Sequence, residues 1–533
     1  MVLRSPLSNP AVKPGVSLTH AAAAALRAGN MMTARQMLQD RLLQDPADAN
    51  ALELLAEIAS SQGSVEEATI LLRRAVAADG SPERRLALIH QLQRHANPAP
   101  ALAEIEQLPA TVRKDFEVKG LEAAIQGVLG HHDQQIRLYQ EMAREKPEAT
   151  GLWVSLGNAL KTVGRTAEAV KALQRAVRSV PSYGEAWWTL ANFKSFKFTQ
   201  RDINQMREAL RLPLDAADEL HIQFALGKAY EDRGDYEQSY RHYAAGNAIR
   251  AAQFDPDQVG TTAYVDEWIA KITPEFFERN RNAGHPAEGP IFVVGMHRAG
   301  STLIEQILAS HPLVEGTAEL GVMTSIRERL GRRSGDSQVE ATLALKPEEI
   351  RAIGEEYMDR TRPFRLTDRP YFVDKMPGNW QNLALIRTAL PNARIIDARR
   401  GPMACGFSNF KQNYAHGLGF SYDQQTIGQF YLDYWRLMRR FDELQPGVVC
   451  RMLNEKLIEH PEAEVRRMLD HLGLPFDPAC LEHHKTDRAV RTPSAEQVRK
   501  PINREGVDYW RHYEPWLGTL KSALGPALDQ WEI

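Results

Sequence analysis

The sequence predicts two architectures in series, a helical solenoid through the N-terminal half and a parallel α/β sheet domain after it. Three observations carry this. Large, small and chain-terminating residues recur with a period of 34 as far as about residue 250. Beyond about residue 288, short apolar runs alternate with amphipathic helical patterns. The first of those runs leads into a glycine-bounded turn that opens a helix, PIFVVGMHRAGSTLIEQIL. With 533 residues, 43% of them hydrophobic, the chain is long enough to bury two or three cores.

Residues 1–16 are rich in proline and polar side chains; they predict a flexible N-terminus and lack the apolar core of a secretory signal. The repeats occupy 17–250. In the clearest unit, Trp153, Leu156, Gly157, Leu160, Gly164, Ala169, Leu173, Ala176 and Pro181 fill the positions of a tetratricopeptide repeat, a pair of antiparallel helices. One period on stand Trp187 and Leu190, and one period back Gly130, Tyr139 and Pro147. Earlier copies place Gly29, Ala34, Leu38 and Pro46, then Gly63, Ala68, Leu72 and Ala75, with a degraded unit around 81–110. A later copy uses Leu226, Gly227, Tyr230, Gly234, Tyr236 and Tyr243. Repeat stacking alone explains Trp153 and Trp187, which are therefore read as structural. Arrays of this kind curve into a concave surface, so a peptide or protein partner is expected in the groove.

Between 251 and 287 the repeat fades into a helical linker that ends in RNAGHPAEGP, and 288–533 form the sheet domain. Its strands are expected at IFVV, YFV, ARII and VVCRML, its helices at TLIEQIL and EVRRMLDHL. In such sheets ligands bind beyond the carboxyl ends of the strands.

The net charge of -3 gives no electrostatic footprint for nucleic acid, and no run reaches the roughly 18 apolar residues of a membrane span. Cys405, Cys450 and Cys480 are too few and too odd for a disulfide framework, which points to a reducing, cytoplasmic setting. Cys480 is read as a small buried hydrophobe. The oligomeric state is left open.

Gly295 and Gly300 bracket four residues, as in the phosphate loop of nucleotide hydrolases, and Thr302 holds the usual hydroxyl position. Ser301 stands where the lysine belongs, and the positive charge has moved to Arg298. This argues against ordinary magnesium-nucleotide chemistry and for an anionic donor gripped by a guanidinium and by the amides of a helix start. A second segment, ARIIDARRGPMACGFSNF, ends a strand in Arg399 and Arg400, turns at Gly401 and Pro402, and continues into a helix carrying Ser408. An isolated arginine pair would be read as solvated or salt-bridged; beside the first loop it reads as a seat for a second phosphate.

Residues 288 to about 520 resemble the nucleotide-dependent sulfotransferases, in particular the tyrosylprotein sulfotransferase branch and bacterial relatives with tetratricopeptide repeats. GMHRAGSTL is similar to the family's 5'-phosphosulfate loop, with Gly295, Arg298, Gly300, Ser301, Thr302 and Leu303 matching and Ala299 in a variant position. Arg400 and Ser408 match its 3'-phosphate segment, and RTPSAEQVRKPIN looks like the loop that closes over the nucleotide, through Ser494, Val498 and Lys500. The resemblance implies a phosphate-loop-like parallel fold, 3'-phosphoadenosine 5'-phosphosulfate as co-substrate and no metal. It also implies Glu319 as the base, with Lys375 and Arg298 stabilising charge on the departing group. The chemistry is coherent: a phenol of pKa about 10 needs a base before it attacks sulfur. His297, Ala299, Gly401 and Asn454 depart from the family pattern, and their effect on donor affinity is left open. So is the acceptor, with protein or peptide tyrosine favoured over a glycan, lipid or small metabolite. The rival readings are an ATP-dependent phosphate-loop kinase, with Asp374 holding magnesium, and a repeat scaffold whose catalytic domain has decayed. Adjacent His483 and His484 are read as surface residues.

Overall fold

The computed structural model of the chain describes residues 18–94, 98–193, 195–255, 259–414, 418–486, 488, 490 and 496–532. The stretch 1–16 thus lies outside the described residues. Two compact units divide the chain, Met1–Met142 and Ala143–Ile533.

In the first unit, helix pairs from Leu18–Arg27 to Phe116–Val128 close on an apolar core that runs from Ala22 to Leu129. The repeat period is set by backbone geometry. Gly29, Gly63, Gly130, Gly164 and Gly234 all have φ between 74° and 87°, a left-handed turn between helices that side chains with a Cβ resist. Ala34, Ala68 and Ala169 are fully buried one helix turn later, where a larger side chain would push the helices apart. The two repeat tryptophans obey one rule: the indole N–H of Trp153 donates to the Pro147 carbonyl at 2.9 Å and that of Trp187 to the Pro181 carbonyl at 2.8 Å. Each ties the start of its helix to the preceding proline turn, a structural task.

The second unit unites the later repeat helices, Thr150–Thr162 to Tyr236–Ala251, with a five-stranded parallel sheet. Its strands are β1 (Pro290–Gly295), β2 (Val314–Ala318), β3 (Tyr371–Asp374), β4 (Arg394–Arg399) and β5 (Val449–Leu453), in the order β2-β3-β1-β4-β5. The four expected apolar runs became β1, β3, β4 and β5, because strands covered on both faces read as continuous hydrophobic stretches. β2, VEGTA, was not expected: it lies at the sheet edge and pairs only with β3. One carboxylate oxygen of its buried Glu315 accepts from the backbone N–H groups of Leu366 and Thr367, the latter at 3.0 Å, and a buried glutamate masks the apolar signature. Ile304, Ile307 and Leu308 of the helix Ser301–Ala309, with Val465, Met468 and Leu469 of the helix Pro461–His471, pack with Ile291, Val293, Val373 and Ile396 of the sheet.

Repeat helices and sheet domain share buried polar contacts. Asn247 donates to the Phe410 carbonyl at 2.8 Å, the Ser239 and Tyr513 hydroxyls meet at 2.8 Å, and the Lys411 ammonium lies 3.1 Å from both carboxylate oxygens of Glu231. The strand order also fixes where ligands go. The chain leaves β1 toward β2 and leaves β4 toward β5, in opposite directions from adjacent strands, so the crevice beyond β1 and β4 is the topological switch point.

Beneath that crevice, Arg399 and Asp397 are both fully buried and joined by two hydrogen bonds of 2.7 and 3.0 Å, with the Tyr434 hydroxyl donating to the same carboxylate. Arg399 is therefore the salt-bridged member of the arginine pair and a strut of β4. Arg399→Met strands a buried carboxylate and is expected to cost about 3–5 kcal/mol; urea unfolding measures it, and a loss under about 1 kcal/mol would contradict the strut role.

Candidate active site

The loop after β1 needs both of its glycines. Gly295 has φ 139°, and a Cβ there would lie 2.2 Å from the Ala398 carbonyl oxygen of β4. Gly300, at φ 96°, sits against Asn454, whose Oδ1 would be 2.7 Å from an added Cβ. Between them Arg298 holds φ 67°, and among the described residues it alone without being glycine has positive φ. Such backbone strain, of the order of 1–3 kcal/mol, persists where surrounding contacts over-determine it. Those contacts are present. The His297 carbonyl accepts from Asn409 Nδ2 at 2.8 Å and Cys405 Sγ at 3.3 Å, and the Arg298 carbonyl accepts from Arg400 Nη1 at 3.1 Å. With the carbonyls drawn toward β4 and its helix, the amides of His297, Gly300 and Ser301 have no hydrogen-bond partner among the described residues. The nine-residue helix Ser301–Ala309 starts there, and its first turn adds the positive end of its dipole.

The helix Pro402–Phe410 follows β4 directly and carries Ser408, whose hydroxyl accepts from Arg298 Nε at 3.2 Å. Arg400 donates its second nitrogen to the Gly506 carbonyl. The two sequence motifs, about a hundred residues apart, therefore form one basic cluster. Its charges act on one another: burial lowers the Arg400 guanidinium and the Lys411 ammonium, and in each case Arg298 lowers it further, while Glu455 and Glu231 oppose. Like charges gathered in a desolvated crevice favour an anion among them.

Glu319 follows β2 and Lys375 follows β3, so four adjacent strands each deliver a polar residue to the same sheet edge. Lys375 is 1% exposed and its ammonium is bonded to Glu319, whose side chain stays 43% exposed. Burial would raise the Glu319 carboxyl, but the Lys375 ammonium and its hydrogen bond outweigh this and hold it below the usual carboxylate range. Lys375 does not pair with Asp374, which accepts from the Tyr357 hydroxyl at 2.9 Å and is pushed by burial to about 7; nor does Glu319 cap the helix Val322–Ser334, which has no side-chain cap. Burial brings the His297 ring down to about 4, with Glu319 opposing and Lys375 and Arg298 adding to the fall. His297, standing in the loop's usual proline position, is thus within electrostatic reach of both halves of the site.

Further along, Val498 is buried with Val490 and packs on Leu303, and Lys500 is exposed and paired with Glu496 at 3.3 Å. Ser494 lies outside the described residues. Ala299, Ser301 and Thr302 are buried in the loop and helix start. His483 is not a surface residue: it is 1% exposed, its ring meets that of His484, and its carbonyl accepts from Gln306 at 3.0 Å. Among the described residues no group of His, Cys, Asp and Glu is arranged to hold a metal ion, and no helix is long and apolar enough to cross a membrane. Sequence reading missed Asn409, Lys411 and Glu455. Asn409 and Lys411 follow closely on Ser408 in the same segment, which was a usable signal; Glu455, which accepts from the Gly401 amide at 3.0 Å, had none.

Residues 290–478 match the sulfotransferase family, and residues 21–82 and 150–193 match tetratricopeptide repeats. The chain joins a sulfotransferase-family domain to a tetratricopeptide array. It is similar to an uncharacterized protein of Aquifex aeolicus (strain VF5), 31% identical over 424 residues, which take in 78% of this chain and 54% of that relative. The chain thus spans about half that relative's length. A putative protein-tyrosine sulfotransferase of Caenorhabditis briggsae is 26% identical over 236 residues, 41% of this chain and 80% of the relative. Among solved structures, the sulfotransferase domain from the Synechococcus PCC 7002 olefin synthase aligns at 20% identity and a TM-score of 0.32, over 43% of this chain and 89% of that one.

Proposed function

We propose that the chain transfers a sulfuryl group from 3'-phosphoadenosine 5'-phosphosulfate to a hydroxyl acceptor, in the first instance a tyrosine of a peptide or protein, which the tetratricopeptide groove helps to recruit. One observation carries this reading: the Arg298–Ser408–Arg400 cluster and the Glu319–Lys375 pair meet at one sheet edge. The first suits a molecule with two anionic ends, and the second is an acid–base pair beside it.

The proposed donor supplies an activated sulfuryl group and a good leaving phosphate. The residues do the rest. Gly295, Ala299, Gly300, Ser301, Thr302 and Leu303 shape the loop whose amides, with Arg298, hold the 5' end. Arg400 and Ser408 hold the 3'-phosphate, and Ser494, Val498 and Lys500 cover the nucleotide. Glu319, kept ionised by Lys375 and partly exposed, takes the proton from the acceptor hydroxyl. Lys375 and Arg298 face the negative charge that grows as the bond to the leaving phosphate breaks. The phenol of a peptide tyrosine makes the clearest demand for such a base.

Calorimetry with adenosine 3',5'-bisphosphate and with ADP tests the donor class. Binding of the bisphosphate in the absence of magnesium is expected; a magnesium-dependent preference for ADP would reject the reading in favour of a kinase. Transfer itself is read by mass spectrometry of tyrosine peptides incubated with the donor.

The division of labour has its own tests. Glu319→Ala should lower kcat by about 100-fold or more with little change in nucleotide affinity. Arg400→Ala should instead weaken adenosine 3',5'-bisphosphate by about 1.5–3 kcal/mol; equal losses of nucleotide binding in both variants would refute the assignment. The pH profile follows from the lowered Glu319 carboxyl: the base form exists above that pKa and is lost only as pH falls through it. The acidic limb of kcat/KM should therefore lie below the ordinary carboxylate range, and a limb near neutrality would point to another base.

A further inference from the structure

The last turn of the repeat helix Thr150–Thr162 reaches the segment that the donor reading places over the nucleotide. The Thr162 carbonyl accepts from Arg499 Nη2 at 2.8 Å and from the Val490 backbone N–H at 3.1 Å. Gly164, φ 80°, leaves room for this approach, since a Cβ there would be 2.9 Å from Arg499 Nε. Arg499 also donates to the Arg488 carbonyl at 3.1 Å, and the Arg488 side chain bonds Gln306 at 2.7 Å and pairs with Glu305 at 3.0 Å on the helix that follows the anion loop. On the repeat side, the Ser195 amide donates to Glu496 at 3.4 Å. The covering segment is thus strapped between a repeat helix and the anion-loop helix.

Lys161 stands one residue before this junction. Its ammonium lies 5.0 Å from the centre of the Phe193 ring and has no carboxylate within ion-pair distance among the described residues. An ammonium that rests on a ring face and is not bonded to a carboxylate keeps its hydrogen-bond donors for an anion. We infer that the repeat array forms a wall of the donor pocket, with Lys161 binding an anionic group of the nucleotide donor alongside Arg298. This rests on the donor reading above. The electrostatics agree: burial lowers the Lys161 ammonium to about 8, Arg298 lowers it too, and Glu496 of the covering segment opposes. Each of these neighbours belongs to the anion loop or to the strap.

The test is the affinity of the full chain for adenosine 3',5'-bisphosphate, measured by calorimetry on wild type, Lys161→Met and Lys161→Arg. Loss of about tenfold or more in Lys161→Met, with affinity largely kept in Lys161→Arg, is expected for a lost charged contact. Wild-type binding with no loss in Lys161→Met would overturn this inference and leave the donor reading intact. No wild-type binding would overturn both. Should Lys161→Met not fold, amine acylation of the wild-type protein read by peptide mass spectrometry still decides: the bisphosphate should protect Lys161 from labelling, and unchanged labelling in a protein that binds the nucleotide would overturn the inference.

Discussion

The site depends on the docking of the loop after β1 onto the end of β4. Gly295 lies so close to the Ala398 carbonyl that no side chain fits, and the carbonyls of His297 and Arg298 are taken by Asn409, Cys405 and Arg400. With those two acceptors engaged on the β4 side, the amides of His297, Gly300 and Ser301 are left for a ligand. The same contact joins Arg298 to Ser408 and Arg400, so the grip on one anion and the grip on the other are built by one piece of packing. Arg298 reaches its left-handed conformation only because this packing holds it there.

A parallel sheet does the placing. Because β1 to β4 all point the same way, residues that immediately follow them in sequence arrive at one edge: Arg298, Glu319, Lys375 and Arg400. The buried Lys375 then sets the state of Glu319. Partial burial would push the Glu319 carboxylate toward its protonated form, and the adjacent ammonium reverses that tendency. Proton acceptor and charge stabiliser are thereby prepared by a single ion pair.

Much of this was legible in the chain because the relevant signals are local. The 34-residue period is written in turn glycines that all adopt left-handed φ, and β1, β3 and β4 are apolar runs ending at the residues singled out. What escaped depends on tertiary partners. β2 hides because its glutamate is buried against backbone amides, His483 because a histidine beside a charged neighbour looks solvated, and Arg399 because its pairing with Asp397 on the same strand face is locked only by burial and by Tyr434. The repeat's approach to the site was illegible for a different reason. Thr162 and Arg499 lie more than three hundred residues apart, and neither carries a motif that announces the other.

The account stands on a pocket that holds both anionic ends of one nucleotide. A crystal structure of the chain with adenosine 3',5'-bisphosphate tests it most directly. The 5'-phosphate should rest on the amides of the loop between Gly295 and Thr302, and the 3'-phosphate should contact Arg400 and Ser408. A nucleotide bound elsewhere, or one whose 3'-phosphate points away from Arg400 and Ser408, would contradict it.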